Sequence, residues 1–419
     1  MKIINIILHS DFFKSLSILA SGSIIAQIIN ILSSPITTRL FTPEELGTYT
    51  IIMTVVSIFG PIINLRYDLS IVMEASEDNV YALVKSSLIL STVLTIFITI
   101  GYAVYYIITC NTQNIILNLL VIFILLNLSG IINVLNSYNN RLKEYGIITK
   151  VYVQRTIGQV LTMILTGFLK MGYIGLILSQ IIGQFFGLKK QYSSLKKSIR
   201  QIINVNWIHM KKVLSIHRRQ LITVPSTFLN SLSYSSINIF IDFLFGKTIL
   251  GFYSMSYRML GLPLTIIANN VSKIYFEEAS REYEKTNGYY KAFKKTFSFL
   301  IIMAFFMCLF LLLFSPQLFS FFFGKNWKEA GVYVQILSPM FSIRLISTAI
   351  SSALLIVKKQ NVDLFLQILL ISISILDFFI CQFLNLSVKN FLMFFSLFGS
   401  IVYILSIIIV YRFSKPQNI

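Results

Sequence analysis

Charge is scarce in this sequence: 12% of its residues are charged, 56% are hydrophobic and the mean hydropathy is +0.77. A soluble fold needs more polar surface than that, so the composition excludes a water-soluble domain and makes lipid the solvent. Cysteine is nearly absent too. Cys110, Cys308 and Cys381 are odd in number, form no Cys-x-x-Cys pair and lie in or beside apolar stretches, which argues against a disulfide framework and for small core side chains. His9, His209 and His217 lack His-x-x-x-His spacing and a local carboxylate companion, so no metal site is expected. No nucleophile motif occurs, and no enzyme activity is expected. The net charge of +19 would suit nucleic acid, but the cations are interspersed with apolar runs, a pattern that membrane topology explains better.

What is present is a series of charge-poor stretches long enough to cross a bilayer. A hydrocarbon layer of about 30 Å takes roughly 20 residues of helix, and irregular backbone cannot face lipid. Twelve such stretches are expected, near 15–38, 46–65, 86–109, 115–138, 151–169, 171–188, 221–245, 250–272, 296–314, 330–357, 362–384 and 390–411. The first is read as an uncleaved span, because its apolar run is too long for the core of a signal peptide. Of the 35 lysines and arginines, 26 fall on the side of the N-terminus, six on the other side and three within spans. The positive-inside rule makes the first side cytoplasmic and both termini cytoplasmic.

The chain also repeats. An offset of 204 residues superposes Leu40 and Phe41 on Leu244 and Phe245, then Leu46, Gly47 and Tyr49 on Leu250, Gly251 and Tyr253. It also superposes Glu74, Ala75 and Ser76 on Glu278, Ala279 and Ser280. Six spans per repeat is an even number, so the halves run parallel, an arrangement associated with alternating access between two lobes. The expected fold is all-α and integral to the membrane, with twelve helices in two six-helix lobes, 1–188 and 221–419. Between them, 189–220 is a basic linker in which Leu195, Ile199, Ile202, Ile203 and Trp207 recur at helical spacing, as in a helix lying on an anionic leaflet.

Five charges lie three residues or more inside the expected spans, three cations against two anions: Arg155, Arg258 and Arg344, with Asp242 and Asp377, while Asp363 stands at the edge of the stretch 362–384. A charge at mid-membrane costs about 2.5–3.5 kcal/mol on insertion scales, so it faces a partner or a watery cavity. The cationic surplus, joined by Arg39 at the outer end of the first span, suits an anion. Guanidinium offers a planar fork to phosphate and holds its proton. Arg155 lies close enough to the boundary to snorkel instead. Asp242 and Asp377 fit either helix-packing partners of the arginines or carboxylates that take a proton or Na⁺. Pro35, Pro61, Pro225, Pro263 and Pro339 permit bends within spans.

Three segments carry a family likeness: RLFTPEELGTYTIIMTVVSIFGPIINLRYDLSIV at 39–72, LGFYSMSYRMLGLPLTIIANNVSKIYF at 250–276 and FFFGKNWKEAGVYVQILSPM at 321–340. They resemble the Wzx-type polysaccharide flippases, and the likeness runs through nearly the whole chain. It implies the V-shaped fold of the multidrug and oligosaccharidyl-lipid exporter superfamily, in the bacterial inner membrane. It also implies a cargo, an oligosaccharide repeat unit on undecaprenyl pyrophosphate, carried from the cytoplasmic to the periplasmic leaflet for O-antigen, lipopolysaccharide or a similar glycan. A polysaccharide polymerase and a chain-length regulator are the implied partners, and no cofactor is implied beyond coupling to H⁺ or Na⁺. Arg258 lies in the YSMSYR match and takes the family's cationic cavity role, whereas Arg155, Arg344 and Asp377 rest on the charge argument alone. A drug or cation exporter of the same superfamily is the nearest alternative and calls for an acidic cavity. A membrane glycan polymerase or ligase calls for larger outward loops than the one near 315–329, and a scaffold for polysaccharide assembly calls for no cavity.

Overall fold

Backbone groups in hydrocarbon pair only within their own helix or within a closed barrel, and among the described residues every regular element of the computed structural model is helical. It describes residues 11–108, 115–357 and 359–415, so the readings on His9 and Cys110 fall outside it. In chain order the helices are α1 (Asp11–Leu40), α2 (Pro43–Phe59), α3 (Tyr67–Met73), α4 (Glu77–Ile108), α5 (Ile115–Arg141) and α6 (Tyr145–Phe168). Then come α7 (Gly172–Phe185), α8 (Leu188–Lys196), α9 (Ile199–Asn204), α10 (Trp207–Ile216), α11 (Thr223–Phe245) and α12 (Lys247–Pro263). The last six are α13 (Asn269–Thr286), α14 (Tyr290–Phe323), α15 (Lys328–Ile350), α16 (Ala353–Ile356), α17 (Gln360–Leu384) and α18 (Val388–Ser414).

Helices overlap the expected stretches, with a break inside 46–65 and a change of winding inside 250–272. Seven segments are long and apolar enough to cross on their own merits: 43–62, 77–104, 115–141, 290–323, 325–356, 361–384 and 388–414. The remaining stretches, on α1, α6, α7, α11 and the α12–α13 pair, are shorter or more polar for a physical reason. On α1 some hydroxyls are buried and satisfied by their own helix: Ser34 Oγ donates to Asn30 O at 2.6 Å and Thr37 Oγ1 to Ser33 O at 3.0 Å. Ser233, Ser235 and Ser236 of α11 are likewise buried.

By contact the chain divides into two units, one of residues up to Phe41 with Ile51–Ser231, the other of Thr42–Thr50 with Leu232–Ile419. In the first, α1 packs on α6, α6 on α7 and α4 on α5. The expected bend at Pro61 is a full break: a short 3-10 turn, Gly60–Ile62, ends α2, and Leu65 and Arg66 follow in left-handed backbone at φ 49° and 63°. Asn64 holds the break by donating to Ser87 O at 3.1 Å and Gly130 O at 3.3 Å. In the second unit α15 is central, packed by α12, α14 and α18. A wider helical turn over Leu264–Ala268 follows Pro263 before α13 resumes.

The third likeness segment builds this second unit. Gly324 turns the chain at φ +100°, and Trp327, 2% exposed, meets Phe252 edge-on at 5.8 Å. A Cβ on Gly331 would lie 2.6 Å from Pro316 Cα, so only glycine lets α15 approach α14 this closely.

The basic segment 189–220 departs from its expectation. It is three short helices rather than one, interrupted at Ser198 and restarted at Asn206, whose side chain caps α10 by accepting from Ile208 N. Leu195 and Ile202, expected to face lipid, are instead buried in the first unit's core with Val80, Leu83 and Tyr138. Ile203 and Trp207 remain exposed. Apolar spacing alone does not say whether a helix face meets lipid or protein. Lys85 seals the docking, its Nζ donating to Ile203 O at 2.6 Å and Val205 O at 2.8 Å.

A histidine expected to lack a carboxylate has one, 143 residues away: His217 Nε2 lies 2.7 Å from Glu74 Oε2. Glu74 also accepts from Ser76 N at 3.0 Å and Asn79 Nδ2 at 3.2 Å. The backbone bond from Ser76 first, then the His217 contact, hold its carboxyl below the ordinary glutamate range despite some desolvation. A depressed carboxyl stabilises the fold above its unfolded value and ceases to do so as pH falls through the folded one. Amide exchange across α10 is therefore expected to accelerate below about pH 4.3, the unfolded value. Glu74→Gln is expected to reproduce that loosening at neutral pH, with a local loss of about 1–3 kcal/mol.

Candidate functional site

The intramembrane cations fall into two groups. Arg39 and Arg155 belong to the first unit but stand far apart. Leu40 packs on Gly167, and about 18 Å of α6 separates Gly167 from Arg155. Arg155 is engaged inward: its guanidinium donates to Gln191 Oε1 at 2.6 Å, Gln191 Nε2 donates to Asn136 Oδ1, and Gln191 O accepts from Asn139 Nδ2 at 3.0 Å. That network ties α6 to α5 and α8, so Arg155 neither snorkels freely nor joins Arg39. Gln191 carries no charge, and a census of charges passes over it.

The second unit brings the other two arginines to neighbouring positions. Arg344, on α15, donates to Tyr257 Oη at 2.9 Å, and Tyr257 precedes Arg258 on α12. Aromatic rings surround the Arg344 guanidinium: its carbon lies 4.5 Å from the Tyr234 centroid, 5.3 Å from Phe341 and 5.8 Å from both Tyr257 and Tyr403. Helical periodicity produces this convergence. Met340 and Arg344 share one face of α15, Ser233 and Ile237 one face of α11, and Leu370 and Ser374 one face of α17. Between these walls lies a small cavity of about 20 Å³, room for about one water.

No ion pair to Arg344 exists among the described residues; its charge is met by π faces and a phenol oxygen. Phenol and ring faces stabilise a guanidinium without neutralising it; Asp363, on α17, lies in electrostatic reach of the neighbouring Tyr234. Arg258 exposes more than a third of its surface and lies in electrostatic reach of the Tyr49 hydroxyl.

The two aspartates differ. Asp242 is half-buried and feels the Lys247 charge. Asp377 is fully buried, and neither carboxylate oxygen has a hydrogen-bond partner among the described residues. It sits one turn beyond Ser374 on the cavity-lining face of α17. The tyrosines are what the sequence reading missed. They count as hydrophobic in a composition, although Tyr253 and Tyr257 stand inside the YSMSYR segment itself.

The repeat has a physical counterpart. A Cβ on Gly47 would lie 1.8 Å from the carbonyl oxygen of Lys247, and one on Gly251 would lie 1.8 Å from that of Pro43. Gly47 and Gly251, like Pro43 and Lys247, are one offset of 204 apart, so the crossing of the first turns of α2 and α12 is reciprocal.

Comparison with known proteins agrees with this architecture. The family model described as polysaccharide biosynthesis protein matches residues 36–332, well over half of the chain. The chain is 23% identical over 366 residues to the capsular polysaccharide biosynthesis protein CapF of Staphylococcus aureus, covering 85% of this chain and 89% of that one. Among solved structures, the lipid II flippase MurJ in an inward closed conformation superposes with a TM-score of 0.74 at 15% identity, covering 94% of this chain and 87% of MurJ. An inward-facing multidrug resistance transporter of the MATE family, in the MOP superfamily, gives 0.68 at 14%, covering 93% and 94%. The fold is thus the one that these membrane proteins, a flippase and a transporter, share.

Proposed function

The chain belongs to the polysaccharide biosynthesis protein family, and from that premise we propose that it is a flippase for an undecaprenyl-pyrophosphate-linked oligosaccharide repeat unit. The unit moves from the cytoplasmic to the periplasmic leaflet of the bacterial inner membrane by alternating access, through a cationic cavity. Twelve spans in two parallel six-helix halves, with both termini cytoplasmic, are part of the same proposal. The reciprocal glycine crossing at Gly47 and Gly251 supports the duplication it assumes.

The observation that carries the reading is Arg344, a guanidinium beside a small cavity with aromatic walls and with no carboxylate partner among the described residues, one residue from the position of Arg258 through Tyr257. Aromatic faces receive sugar rings and guanidinium receives pyrophosphate, so one wall serves both parts of such a head group. Moving the head group through the protein spares its hydroxyls and phosphates the several kcal/mol that each unpaired polar group costs in hydrocarbon. An interior-negative potential favours outward movement of the anion by about 2.3 kcal/mol per charge per 100 mV. Asp377 is the stronger coupling candidate of the two acids, since a buried carboxylate without hydrogen bonds is stable only when protonated or bound to a cation. Asp242 already has the Lys247 charge near it. The same chemistry disfavours a drug or cation exporter, whose cargo the Arg344 wall repels.

Arg258→Ala is expected to abolish surface polysaccharide while leaving the protein in the membrane at its normal amount. Immunoblotting of membranes beside staining of the surface glycan checks this. Unchanged glycan in the variant would contradict the reading and favour a scaffold.

A further inference from the structure

In the first unit an open groove of about 710 Å³ runs between α6, the α7–α8 corner and α8, lined by Gln154, Ile157, Phe186, Lys189, Lys190 and Ser193. We infer that it docks the lipid anchor of the cargo, with the two phosphates on Lys189 and Lys190 and the first isoprene units along Ile157 and Phe186. The inference rests on the flippase reading for the identity of the lipid, and on the groove alone for the rest.

Its chemistry is zoned as a phosphorylated lipid is zoned. Ile157 and Phe186 expose 41% and 45% of their surface, large apolar area left uncovered by protein. Ile157 lies about 10 Å along α6 from Lys150, on the apolar side of the boundary that the charge count sets. Lys189 and Lys190, both exposed, stand on the headgroup side, and no ion pair engages either among the described residues. Glu144, the acid that contacts α8, is taken by Ser194 Oγ.

Two glycines shape the groove. The Phe186 ring rests where a Cβ on Gly158 would be, 2.4 Å from Cδ2, so the missing side chain seats the aromatic wall against α6. Gly187, at φ +78°, reverses the chain into α8 and carries both lysines to the rim. A soluble anion uses the lysines but not the two bare apolar walls, and a neutral lipid uses the walls but not the lysines. A lipid phosphate uses both.

The test is binding to the full-length protein in phosphatidylcholine nanodiscs, with undecaprenyl pyrophosphate, undecaprenol, phosphatidylglycerol and inorganic pyrophosphate as probes. Wild type is expected to prefer undecaprenyl pyrophosphate over the other three. The K189Q/K190Q variant is expected to bind it about thirtyfold more weakly, from two surface cations at their usual worth. Ser193→Trp, which fills the groove without touching charge, is expected to weaken it as well. Equal binding by wild type and K189Q/K190Q overturns the inference, as does phosphatidylglycerol or inorganic pyrophosphate binding as tightly as the lipid pyrophosphate. Arg258→Ala separates the two readings, since it is expected to keep groove binding while losing flipping. If instead K189Q/K190Q binds and flips like wild type, the groove assignment fails and the flippase reading stands.

Discussion

Alanine at Gly47 is expected to lower stability by about 2–4 kcal/mol, and alanine at Gly251 by a similar amount, beyond the usual cost of overpacking because the obstacle is backbone. Each new Cβ would sit 1.8 Å from a main-chain carbonyl oxygen, of Lys247 in one case and Pro43 in the other, and neither oxygen moves without its helix. The two substitutions address one contact from both sides. Once α2 and α12 have been pushed apart by the first, the second meets space already opened, so the double variant is expected to cost clearly less than the sum. Gly261→Ala supplies the control within α12: nothing lies within 4 Å of its Cβ position, and helix propensity there favours alanine. Apparent melting temperatures of the four variants in one detergent check the pattern. Full additivity would show that the two glycines do not share a contact.

Methionine at Arg344 is expected to reduce transport at least tenfold while leaving the melting temperature unchanged or higher. A partly buried guanidinium without a carboxylate costs several kcal/mol of desolvation. It recovers about 0.5–2 kcal/mol from each close aromatic face and a similar amount from the Tyr257 hydroxyl. These roughly cancel, and an unbranched apolar side chain of similar reach fills the space among Tyr234, Phe341 and Tyr403. A residue kept only for packing would show the opposite, a large fall in melting temperature with transport following protein amount. Arg344→Lys is expected to fall between, since an ammonium keeps the charge but not the planar fork that pairs with phosphate.

The helices were legible because apolar runs of bilayer length are rare in any other setting, and α4, α5, α14, α17 and α18 show it most openly. The α1 and α11 stretches read less clearly. Ser33, Ser34, Thr37 and Thr38 of α1 and Ser233, Ser235 and Ser236 of α11 are buried, which hydropathy does not distinguish from exposure. The break after α2 was visible as Pro61, but the left-handed pair at Leu65 and Arg66 has no glycine to announce it. Arg258 and Arg344 stood out by charge where charge is scarce. Their surroundings did not: Tyr257 meets Arg344 across 87 residues and His217 meets Glu74 across 143, separations at which spacing in the sequence carries no signal. The 204-residue offset is the exception, a long-range relation readable directly in the sequence, and it relates Gly47 to Gly251, which approach each other's helices reciprocally.

Flipping measured in proteoliposomes bears most directly on the claim that cavity arginines receive a lipid-linked pyrophosphate. Wild type, Arg258→Ala and Arg344→Met would be reconstituted at equal density with a fluorescent undecaprenyl-pyrophosphate oligosaccharide and, separately, with the same glycan on uncharged undecaprenol. The account predicts rapid transfer of the pyrophosphate form by wild type, loss in both variants and little transfer of the uncharged form. Equal transfer of charged and uncharged forms, or undiminished transfer by both variants, would contradict it.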